Sequence, residues 1–494
     1  MKLKLLAICA LSFTCTKRVN DCDSNADCTN PAYPFCDVNG TYEPSGGMKN
    51  VCTIIPPDCP VDVCGCQPGA TTCGSDQIVT CNADGMSTTT TSCGLGCGSD
   101  GLSCATFTPS NGLGPILAEA GSAGDFVVPA GATIDTSACE IEMANTALLH
   151  GSLVASPQAS GKICAFAANN FTIGNVSAAG TYPVAFVAAN DITISGILDA
   201  GAKASTPGPG AQPIGSPCDG GGVVMFRCFD GAPPQPGRCS EGGGGGGNAT
   251  AGGSGGSDGY LSTEASGSGS GYAGAMAAAA FSPLVGGCSG GSGSDTLTNN
   301  TGSDVLGFIS EQGGAGGGAV QLVAGSSIEL VGIVNVGGGG GLGSASALGY
   351  DGMTIYSDPQ GTGGGAGGTL VIETPVLTIS PGGGFAANGG GGGGCGMAGA
   401  DGAADSAPAS GGTSGSATCV GVGYSFPGGT GGTATLFPTL DDFDQRAAPT
   451  PDSDAFGGGG GSVGRVRIAT RSGTVPTSPS VQSAVITAEA LVTN

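Results

Sequence analysis

Beyond about residue 109, the apolar residues of this chain occur in short bursts in which every second position is apolar. The burst Ile-Thr-Ile at residues 192–194 is an example, and a second apolar pair follows at 197–198 after a turn that contains glycine. An alternation with a period of two is typical of a β-strand that has one buried face. This part of the chain is therefore predicted to form short strands joined by tight turns.

The bursts repeat along the chain in a common frame. One copy occupies about 21 residues and contains two or three strands, which is the length of one coil of a parallel β-helix. Stacked coils bury together the apolar side chains that a single coil cannot bury alone. We therefore expect an all-β fold, a parallel β-helix or solenoid, over residues 109–494. The recognisable copies are residues 167–180, 188–201, 324–337 and, more loosely, 377–385.

The frame also predicts which side chains point into the core of such a solenoid. Successive side chains of a strand point to opposite faces, so that only one of two neighbours belongs to the apolar face. Thr193, Glu329 and Thr378 should face away from the core. The side chains expected to be buried and stacked are Ile192, Ile194, Ile328, Leu330, Leu377 and Ile379.

Long tracts of Gly, Ser and Ala separate the later copies, at residues 202–318, 338–366 and 389–461. Glycine accounts for 101 of the 494 residues, whereas ordinary proteins contain about 7%. Such tracts are either flexible linkers or packed segments, because glycine lets backbones approach closely and adopt extended helical conformations. The composition resembles that of phage adhesins with stacked polyglycine helices and of the Gly-rich surface proteins of mycobacteria. We expect partly ordered loops, inserted on one side of the solenoid.

The chain is acidic but sparsely charged. Its net charge is −24, and only 10% of its residues are charged. An acidic surface repels phosphate backbones and anionic lipids, so we expect no nucleic-acid partner and no membrane contact except through a lipid anchor. Such a surface suits cations, and calcium is the candidate outside a cell.

Residues 1–14 have the features of a secretory signal peptide. A short basic start, Met-Lys-Leu-Lys, precedes an apolar stretch at residues 5–13 that is too short to span a bilayer. Residues 11–15, Leu-Ser-Phe-Thr-Cys, resemble a bacterial lipobox, with Leu one place early and Thr14 at the usual place of a smaller residue. The resemblance implies that Cys15 carries lipid, which leaves an even number of cysteines in the mature chain. The alternative is an ordinary secreted protein that is cleaved nearby.

Residues 15–108 are rich in cysteine and poor in apolar residues, so disulfides should hold this small region together. Zinc binding is the alternative, but the region contains no histidine and a secreted chain meets an oxidising environment. Residues 21–28 and 66–73 resemble the small Cys-rich modules of secreted myxobacterial-type proteins, which implies an extracellular spacer or binding module. The cysteines expected to pair, with connectivity left open, are Cys22, Cys28, Cys36, Cys52, Cys59, Cys64, Cys66, Cys73, Cys81, Cys93, Cys97 and Cys104.

One stretch of the first insertion matches a calcium-binding pattern. Residues 290–298, Gly-Gly-Ser-Gly-Ser-Asp-Thr-Leu-Thr, fit the calcium nonapeptide at every fixed position, and residues 299–307 follow in phase with two Asn in place of the Gly pair. This stretch resembles the repeats-in-toxin family, which implies that Asp295 and Asp304 are calcium ligands. In that family a site forms between coils two repeats apart, so two repeats supply an incomplete site.

The titratable residues that an enzyme would need are scattered along the chain. His150, the only histidine, falls at a predicted coil turn with no nucleophile motif beside it. The compact acidic cluster of the Gly-rich part, Asp441, Asp442 and Asp444 with Arg446, lies in a loop-like stretch and not in a repeat strand. We therefore expect no catalytic residues and no cofactor other than calcium.

Together these features predict a secreted or lipid-anchored cell-surface protein that displays Gly-rich loops from a β-solenoid. Its role would be structural or adhesive, and its partner a component of the cell surface or extracellular matrix such as a polysaccharide. The alternative is an extracellular polysaccharide lyase or hydrolase. Parallel β-helices host such enzymes, which use clustered carboxylates near Lys or Arg on one face.

Overall fold

The computed structural model separates the chain into two compact regions. Residues 1–107 with 493–494 form the Cys-rich region, and residues 108–492 form the Gly-rich region. The residues that the structure describes are 22–23, 27–29, 35–38, 49–53, 69–74, 76–82, 87–156, 161–221, 228–230, 235–237, 242–256, 274–277, 281–298, 305–343, 361–394, 396–412, 428–433, 435–436, 438, 457–476 and 481–493.

The described part of the Cys-rich region consists of two small antiparallel sheets with disulfides. The strands are β1 (Phe35–Asp37) paired with β2 (Val51–Thr53), and β3 (Thr71–Gly74), β4 (Gln77–Cys81) and β5 (Thr88–Ser92) in order. The disulfides are Cys22–Cys36, Cys28–Cys52, Cys73–Cys97 and Cys93–Cys104, and Cys81 is also disulfide-bonded. Of the cysteines expected to pair, Cys59, Cys64 and Cys66 lie outside the described residues.

The Gly-rich region is built on three sheets with mostly parallel pairing. The first sheet contains, in order, β10 (Ser152–Ala155), β11 (Lys162–Ala168), β14 (Val184–Ala188), β21 (Ala319–Ala324), β24 (Thr369–Glu373), β27 (Arg465–Thr470) and β29 (Val485–Ala490). The second contains β6 (Phe126–Val128), β12 (Phe171–Ile173), β15 (Asp191–Ile194), β22 (Ser327–Leu330) and β25 (Val376–Ile379). The third contains β9 (Thr146–His150), β8 (Glu140–Met143), β7 (Thr133–Asp135), β13 (Val176–Ala179), β16 (Ile197–Asp199), β23 (Ile333–Asn335), β26 (Gly384–Ala386) and β28 (Val481–Ser483).

Consecutive strand triplets supply these sheets, one strand to each. The four triplets are β11–β13, β14–β16, β21–β23 and β24–β26, and each pairs in parallel with the next. The register joins Phe171 to Ile192, Ile192 to Ile328 and Ile328 to Leu377. The positions that the sequence frame aligns are therefore neighbours in the second sheet, even where more than a hundred residues of insertion separate them.

The apolar core lies between the three sheets, as the alternation predicts. Phe186 stacks on Phe166 at a ring-centroid distance of 5.7 Å and meets Phe171 edge-on at 5.4 Å. Glu329 and Thr378 are not among the buried residues, and the Glu329 carboxylate accepts a hydrogen bond from Ser380 at 3.3 Å. The six side chains expected in the core are all buried, so this prediction is confirmed: Ile192, Ile194, Ile328, Leu330, Leu377 and Ile379.

Shorter elements complete the region. Helix α1 (Gly114–Ala120) contacts β11 and β14 of the first sheet. Antiparallel strands end two sheets at one side, namely β10 in the first sheet and the β8–β9 pair in the third. Two hairpins, β17 (Cys228–Asp230) with β18 (Gln235–Gly237) and β19 (Gly293–Thr298) with β20 (Val305–Glu311), belong to the first insertion. Two disulfides that the sequence did not assign, Cys139–Cys164 and Cys218–Cys288, also lie here.

Candidate functional site

The glycine tracts of the three insertions pack side by side into one body, which we call the glycine bundle. Its tracts are neither helix nor strand, and most of their residues are buried. Backbone N–H groups of one tract donate to backbone carbonyls of its neighbours. The bundle consists of residues 216–221, 242–256, 284–291, 313–318, 336–343, 361–368, 387–394, 399–402, 408–412, 428–433 and 457–464.

The tract at residues 361–368 shows the geometry of the bundle. The N–H groups of Thr362, Gly365 and Gly368 donate to the neighbouring tract 336–343, at 3.1, 2.8 and 2.6 Å. Those of Gly363 and Ala366 donate to tract 284–291, and those of Gly364 and Gly367 to tract 457–464. Every third residue thus faces the same neighbour. Three residues per turn without internal hydrogen bonds is the geometry of an extended polyproline II-type helix.

The same tract also accepts hydrogen bonds from three further neighbours. Gly243 and Gly246 donate to it from tract 242–256 at 3.0 and 2.9 Å. Tracts 387–394 and 313–318 donate to it in the same way, again at every third residue. The central tract is therefore surrounded by six others, three that accept its N–H groups and three that donate to its carbonyls. Backbone polar groups are satisfied here without any strand ladder.

Close packing explains why these positions are glycine. A Cβ atom added at Gly363 or Gly365 would lie closer than 3.0 Å to the backbone carbonyl oxygen of Gly244 or Ala315, a separation that real Cβ atoms essentially never show. Thr362 is an exception within the tract, and its hydroxyl accepts a hydrogen bond from the N–H of Leu342 at 2.7 Å. The sequence analysis predicts partly ordered loops for these tracts, in preference to flexible linkers. Those that the structure describes are packed.

The bundle continues directly into the sheets at one end, which fixes its position in the region. Gly318, Gly368 and Gly464 immediately precede β21, β24 and β27 of the first sheet, while tracts 336–343 and 387–394 follow strands of the third sheet. Gly368 donates to the carbonyl of Val336 at 2.6 Å, so an incoming tract is held by an outgoing one. The bundle is an ordered extension of the strand triplets.

Many tracts end at the opposite end of the bundle, which is about 20 Å away along a tract of this geometry. Gly242 donates to Gly256 at 3.2 Å, and Gly256 donates to Gly457 at 3.0 Å. Gly428 donates to Gly412 at 2.8 Å, and the residues next to these ends are bonded to one another as well. We call this hydrogen-bonded cluster the far end of the bundle: Gly242, Gly256, Gly361, Gly412, Gly428 and Gly457.

Five connecting segments of the chain each begin or end at the far end. They are residues 222–241, 257–273, 344–360, 413–427 and 439–456, and apart from hairpin β17–β18 they lie outside the described residues. Their sequences differ from the tracts because they contain most of the tyrosines of the chain, which has 8 in all. The tyrosines of these segments are Tyr260, Tyr272, Tyr350, Tyr356 and Tyr424.

A buried polar cluster that the sequence did not predict lies on the outer face of the first sheet. The Glu373 carboxylate, 3% exposed as a side chain, accepts hydrogen bonds from Arg467 and Gln321, both at 2.8 Å. Arg467 also donates to Glu489 at 2.7 Å. Burial lowers the pKa of Arg467, but the charges of Glu373 and Glu489 and their hydrogen bonds raise it above its ordinary value. The guanidinium stays charged.

This cluster has the residue types of a polysaccharide-cleaving site, but it is filled by the protein itself. Ser110 lies over it, and its N–H donates to both oxygens of Glu373 at 3.2 and 3.0 Å. In the sequence Arg465 and Arg467 alternate with Val466 and Ile468, a pattern that predicts that both arginines line the solvent face of a strand. They do point away from the core, but Arg465 is only 7% exposed, because Asn248 and Phe281 of the first insertion cover it. Burial lowers the pKa of Arg465.

The other residues that the sequence singled out are dispersed. His150 lies at the end of β9 and not in a turn, exposed, with its Nδ1 3.1 Å from the Glu140 carboxylate. Asp295 lies in β19, opposite Ile309 of β20, in an antiparallel hairpin. Stacked calcium nonapeptides need parallel coils, which this pairing does not supply. Outside the described residues lie Cys15, Asp304, Asp441, Asp442, Asp444 and Arg446.

An open groove of about 520 Å³ lies beside β25, the last strand of the second sheet. It is lined by apolar and hydroxyl side chains with one cation: Pro375, Val376, Leu377, Thr470, Arg471, Ser472, Thr474 and Pro476. No carboxylate is among these lining residues, so the groove lacks the acid and base pair that glycoside cleavage requires.

Comparison of the chain with protein-family models, with curated proteins and with solved structures finds no match. Among the described residues, no helix has the length and apolar character needed to cross a membrane. The disulfides of both regions fit an oxidising, extracellular environment.

Proposed function

We propose that this chain is a structural or adhesive protein of the cell surface, in which a β-solenoid carries a glycine bundle and the bundle presents its connecting segments to a partner. The strand triplets act as successive coils of the solenoid. The Cys-rich region serves as a spacer towards the N-terminus. The partner is a component of a cell surface or matrix, such as a polysaccharide.

The observation that carries this proposal is the far end of the bundle. Hydrogen bonds of these residues or of their direct neighbours hold the tract ends together there, and each end borders a connecting segment: Gly242, Gly256, Gly361, Gly428 and Gly457. Residues that are far apart in sequence are thereby gathered on a rigid base. The connecting segments supply Tyr, Ser and Gly on a rigid scaffold, and antibody paratopes are enriched in these three residue types.

A binding assay on the whole protein tests this proposal. Purified chain is applied to immobilised bacterial and plant polysaccharides, matrix proteins and whole cells, and retention is measured. The test variant replaces residues 344–360 by a Gly/Ser linker of equal length, and a second variant combines Tyr350→Ala with Tyr356→Ala. Leu148→Ala, at an exposed position on β9, is the matched control.

The expected result is retention by at least one surface, with a loss of tenfold or more in both test variants and none in the control. Unchanged retention after all five connecting segments have been replaced, with the fold intact by circular dichroism, would contradict the display function. Circular dichroism matters here because a collapsed bundle would also lose binding.

Lipid anchoring through Cys15 is a separate part of the proposal, supported by the lipobox resemblance and by cysteine parity. Cys15→Ala should move the protein from the membrane fraction to the soluble fraction and remove a lipid-sized mass. Cys9→Ala, within the proposed signal peptide, is the control and should change neither. A mature N-terminus elsewhere, with Cys15 unmodified, would show that the protein is secreted without an anchor.

The second candidate function is polysaccharide cleavage on the solenoid. The pairing of carboxylates with arginine in the cluster of Glu373, Glu489 and Arg467 favours it, as does the acidic stretch with Asp441 and Asp444. The burial of Glu373 beneath Ser110 disfavours it. Incubation with the same polysaccharides decides: release of reducing ends or unsaturated sugars, lost in Asp441→Ala with Asp444→Ala or in Glu373→Gln, would replace the structural proposal by an enzymatic one.

A further inference from the structure

Residues 108–120 lie over the outer face of the first sheet, and we call them the strap. The strap consists of residues 108–113 followed by helix α1, and it is the first part of the Gly-rich region. Leu113 is fully buried, and α1 contacts β11 and β14. Ala185 and Val187 of β14 do not belong to the inner core, yet they have no exposed surface. The strap therefore covers the outward side of these strands.

The strap is held to the first sheet, near its own first residues, by the polar cluster around Glu373. Besides the two hydrogen bonds from the Ser110 N–H to Glu373, the Ser110 hydroxyl accepts from Gln321 at 3.1 Å and from Arg467 at 3.3 Å. Gln321, Glu373 and Arg467 come from β21, β24 and β27, three adjacent strands of the sheet. One residue of the strap is thus tied to three strands that are far apart in sequence.

Asn111 adds a second attachment beside Ser110. Its Nδ2 donates to Gln321 Oε1 at 2.9 Å and to the carbonyl oxygen of Phe281 at 3.2 Å. Asn111 and Gly112 both have positive φ, 59° and 79°, a conformation that Asn and Gly tolerate best. This local turn directs the chain from the polar cluster into α1. Asn111 as a whole is 3% exposed, so these bonds are shielded from water.

Closure of the strap depends on Glu373 as an acceptor. A carboxylate accepts from the Ser110 N–H, Gln321 and Arg467 at once, and such charge-assisted bonds are the strong ones. If an amide stood in its place, one oxygen would become an NH₂ group that faces other donors. The closed strap would then lose hydrogen bonds, whereas an open, hydrated strap would not.

We propose that the strap is a releasable cover and that the Glu373 cluster is its latch. The strap opens as one unit, and opening exposes the outward side of β11, β14 and β21 while the inner core stays intact. This inference rests on the proposed function in one respect only. If the Cys-rich region is the tether, residue 108 is one of the two places at which the chain passes from it into the Gly-rich region, and Ser110 of the latch follows two residues later.

Proteolysis of the full, disulfide-intact chain by a glutamyl endopeptidase tests the latch. Glu119 is exposed but lies inside α1, so cleavage after it requires local opening of the strap. Glu373→Gln should raise the cleavage rate at Glu119 by about tenfold. Glu489→Gln is the matched control, because Glu489 has hydrogen bonds only to Arg467 among those described and none to the strap. It should change the rate less than twofold.

Cleavage after Glu329, on β22 in the second sheet, separates strap opening from general unfolding. An equal rise at Glu119 and Glu329 in Glu373→Gln, or no rise at Glu119, would overturn the proposal. If Glu373→Gln does not fold, Ser110→Ala serves instead: it removes the hydroxyl that Gln321 and Arg467 bond but keeps the N–H, and it should raise Glu119 cleavage severalfold. If the unmodified chain is retained by none of the surfaces while cleavage at Glu119 responds as expected, the display function fails and the latch stands.

Discussion

The strand core and the glycine bundle of the Gly-rich region are both ordered, but they are held together in opposite ways. The core between the sheets excludes water with large side chains such as Phe166, Phe186 and Ile194. The bundle around residues 361–368 has almost no side chains, and its tracts are joined by backbone hydrogen bonds to as many as six neighbours. Burial of apolar area drives the first. The glycine bundle is held together by close packing of its backbones, whose polar groups are satisfied by hydrogen bonds between tracts.

The two parts also differ in period. Strands repeat every two residues, and every second side chain fills space in the core. Removing part of such a side chain destabilises the fold by an amount that grows with the volume removed. Tracts repeat every three residues and leave no room for a Cβ atom at most positions. The core should therefore be sensitive to side chains that become smaller, and the bundle to side chains that become larger and to changes of register.

The largest effect should come from a change of register in the bundle. Deleting Gly363 shifts the donors that follow by one residue, so that N–H groups which faced tract 284–291 would face another neighbour. Deleting residues 363–365 removes one full turn and restores the pattern. We expect the single deletion to cost at least about 5 kcal/mol of unfolding free energy, a range that marks exceptional changes. The triple deletion should cost clearly less.

Denaturant unfolding followed by circular dichroism measures both deletions. If the single and triple deletions are equally harmful, the three-residue period does not govern stability. A triple deletion worse than the single one would indicate that tract length, and not register, is what the bundle requires.

A single added methyl group in the bundle should have a smaller effect than the change of register. Gly363→Ala places a Cβ against the backbone carbonyl of Gly244, which cannot rotate away as a side chain would. Overpacking of this kind costs about 1–3 kcal/mol, and more where backbone must shift. Gly161→Ala is the matched control, since nothing lies within 4 Å of the added Cβ there. Equal midpoints of thermal unfolding for the two variants would mean that the bundle is loose.

In the strand core, removal of volume is the harmful change. Ile194→Ala or Leu330→Ala deletes a fully buried side chain and leaves a cavity between the sheets. Each should cost about 2–5 kcal/mol. A cost below about 1 kcal/mol at both positions, measured by urea unfolding, would contradict the stacked core.

Shortening a connecting segment should matter less than any of these changes. Loop closure depends weakly on length, so removal of half of residues 344–360 should change stability by less than about 1 kcal/mol. For loops without internal order, the same argument predicts that the long insertions as a whole tolerate shortening. The hydrogen-bonded tracts restrict that expectation to the segments between them. A large loss of thermal stability after this deletion would show that the segment supports the bundle.

Much of the strand architecture could be predicted from the sequence, because periodicity and repetition are visible in the sequence itself. The alternation at residues 192–194 and its copies identified the core face and the neighbours across the second sheet. It could not identify the partners of the glycine tracts, since one glycine run is like another and nothing in its sequence states which six tracts surround it. The packing became visible only through distances between backbones.

The polar cluster was missed for a different reason. Gln321, Glu373 and Arg467 lie on three strands separated by long insertions, and Ser110 precedes them all. No local motif connects them. Arg467 was expected to be in water because it alternates with apolar residues. That signal distinguishes inward from outward positions, but it does not reveal that another part of the chain covers the outward face.

The smallest expected effect concerns the outward side of the second sheet. Glu329 pairs across the strands with Thr193 and Thr378, and the described hydrogen bond of its carboxylate is the one from Ser380 at 3.3 Å. Glu329→Thr would create a row of three threonines on adjacent strands. Cross-strand pairs of Thr contribute about 0.2–1 kcal/mol, which offsets the lost bond, so the net change should stay within about 0.5 kcal/mol. Urea unfolding of the two variants Glu329→Thr and Ile194→Ala compares their losses of unfolding free energy. A loss as large as that of Ile194→Ala would place Glu329 inside the core and reverse the register on which the two-residue period of this sheet depends.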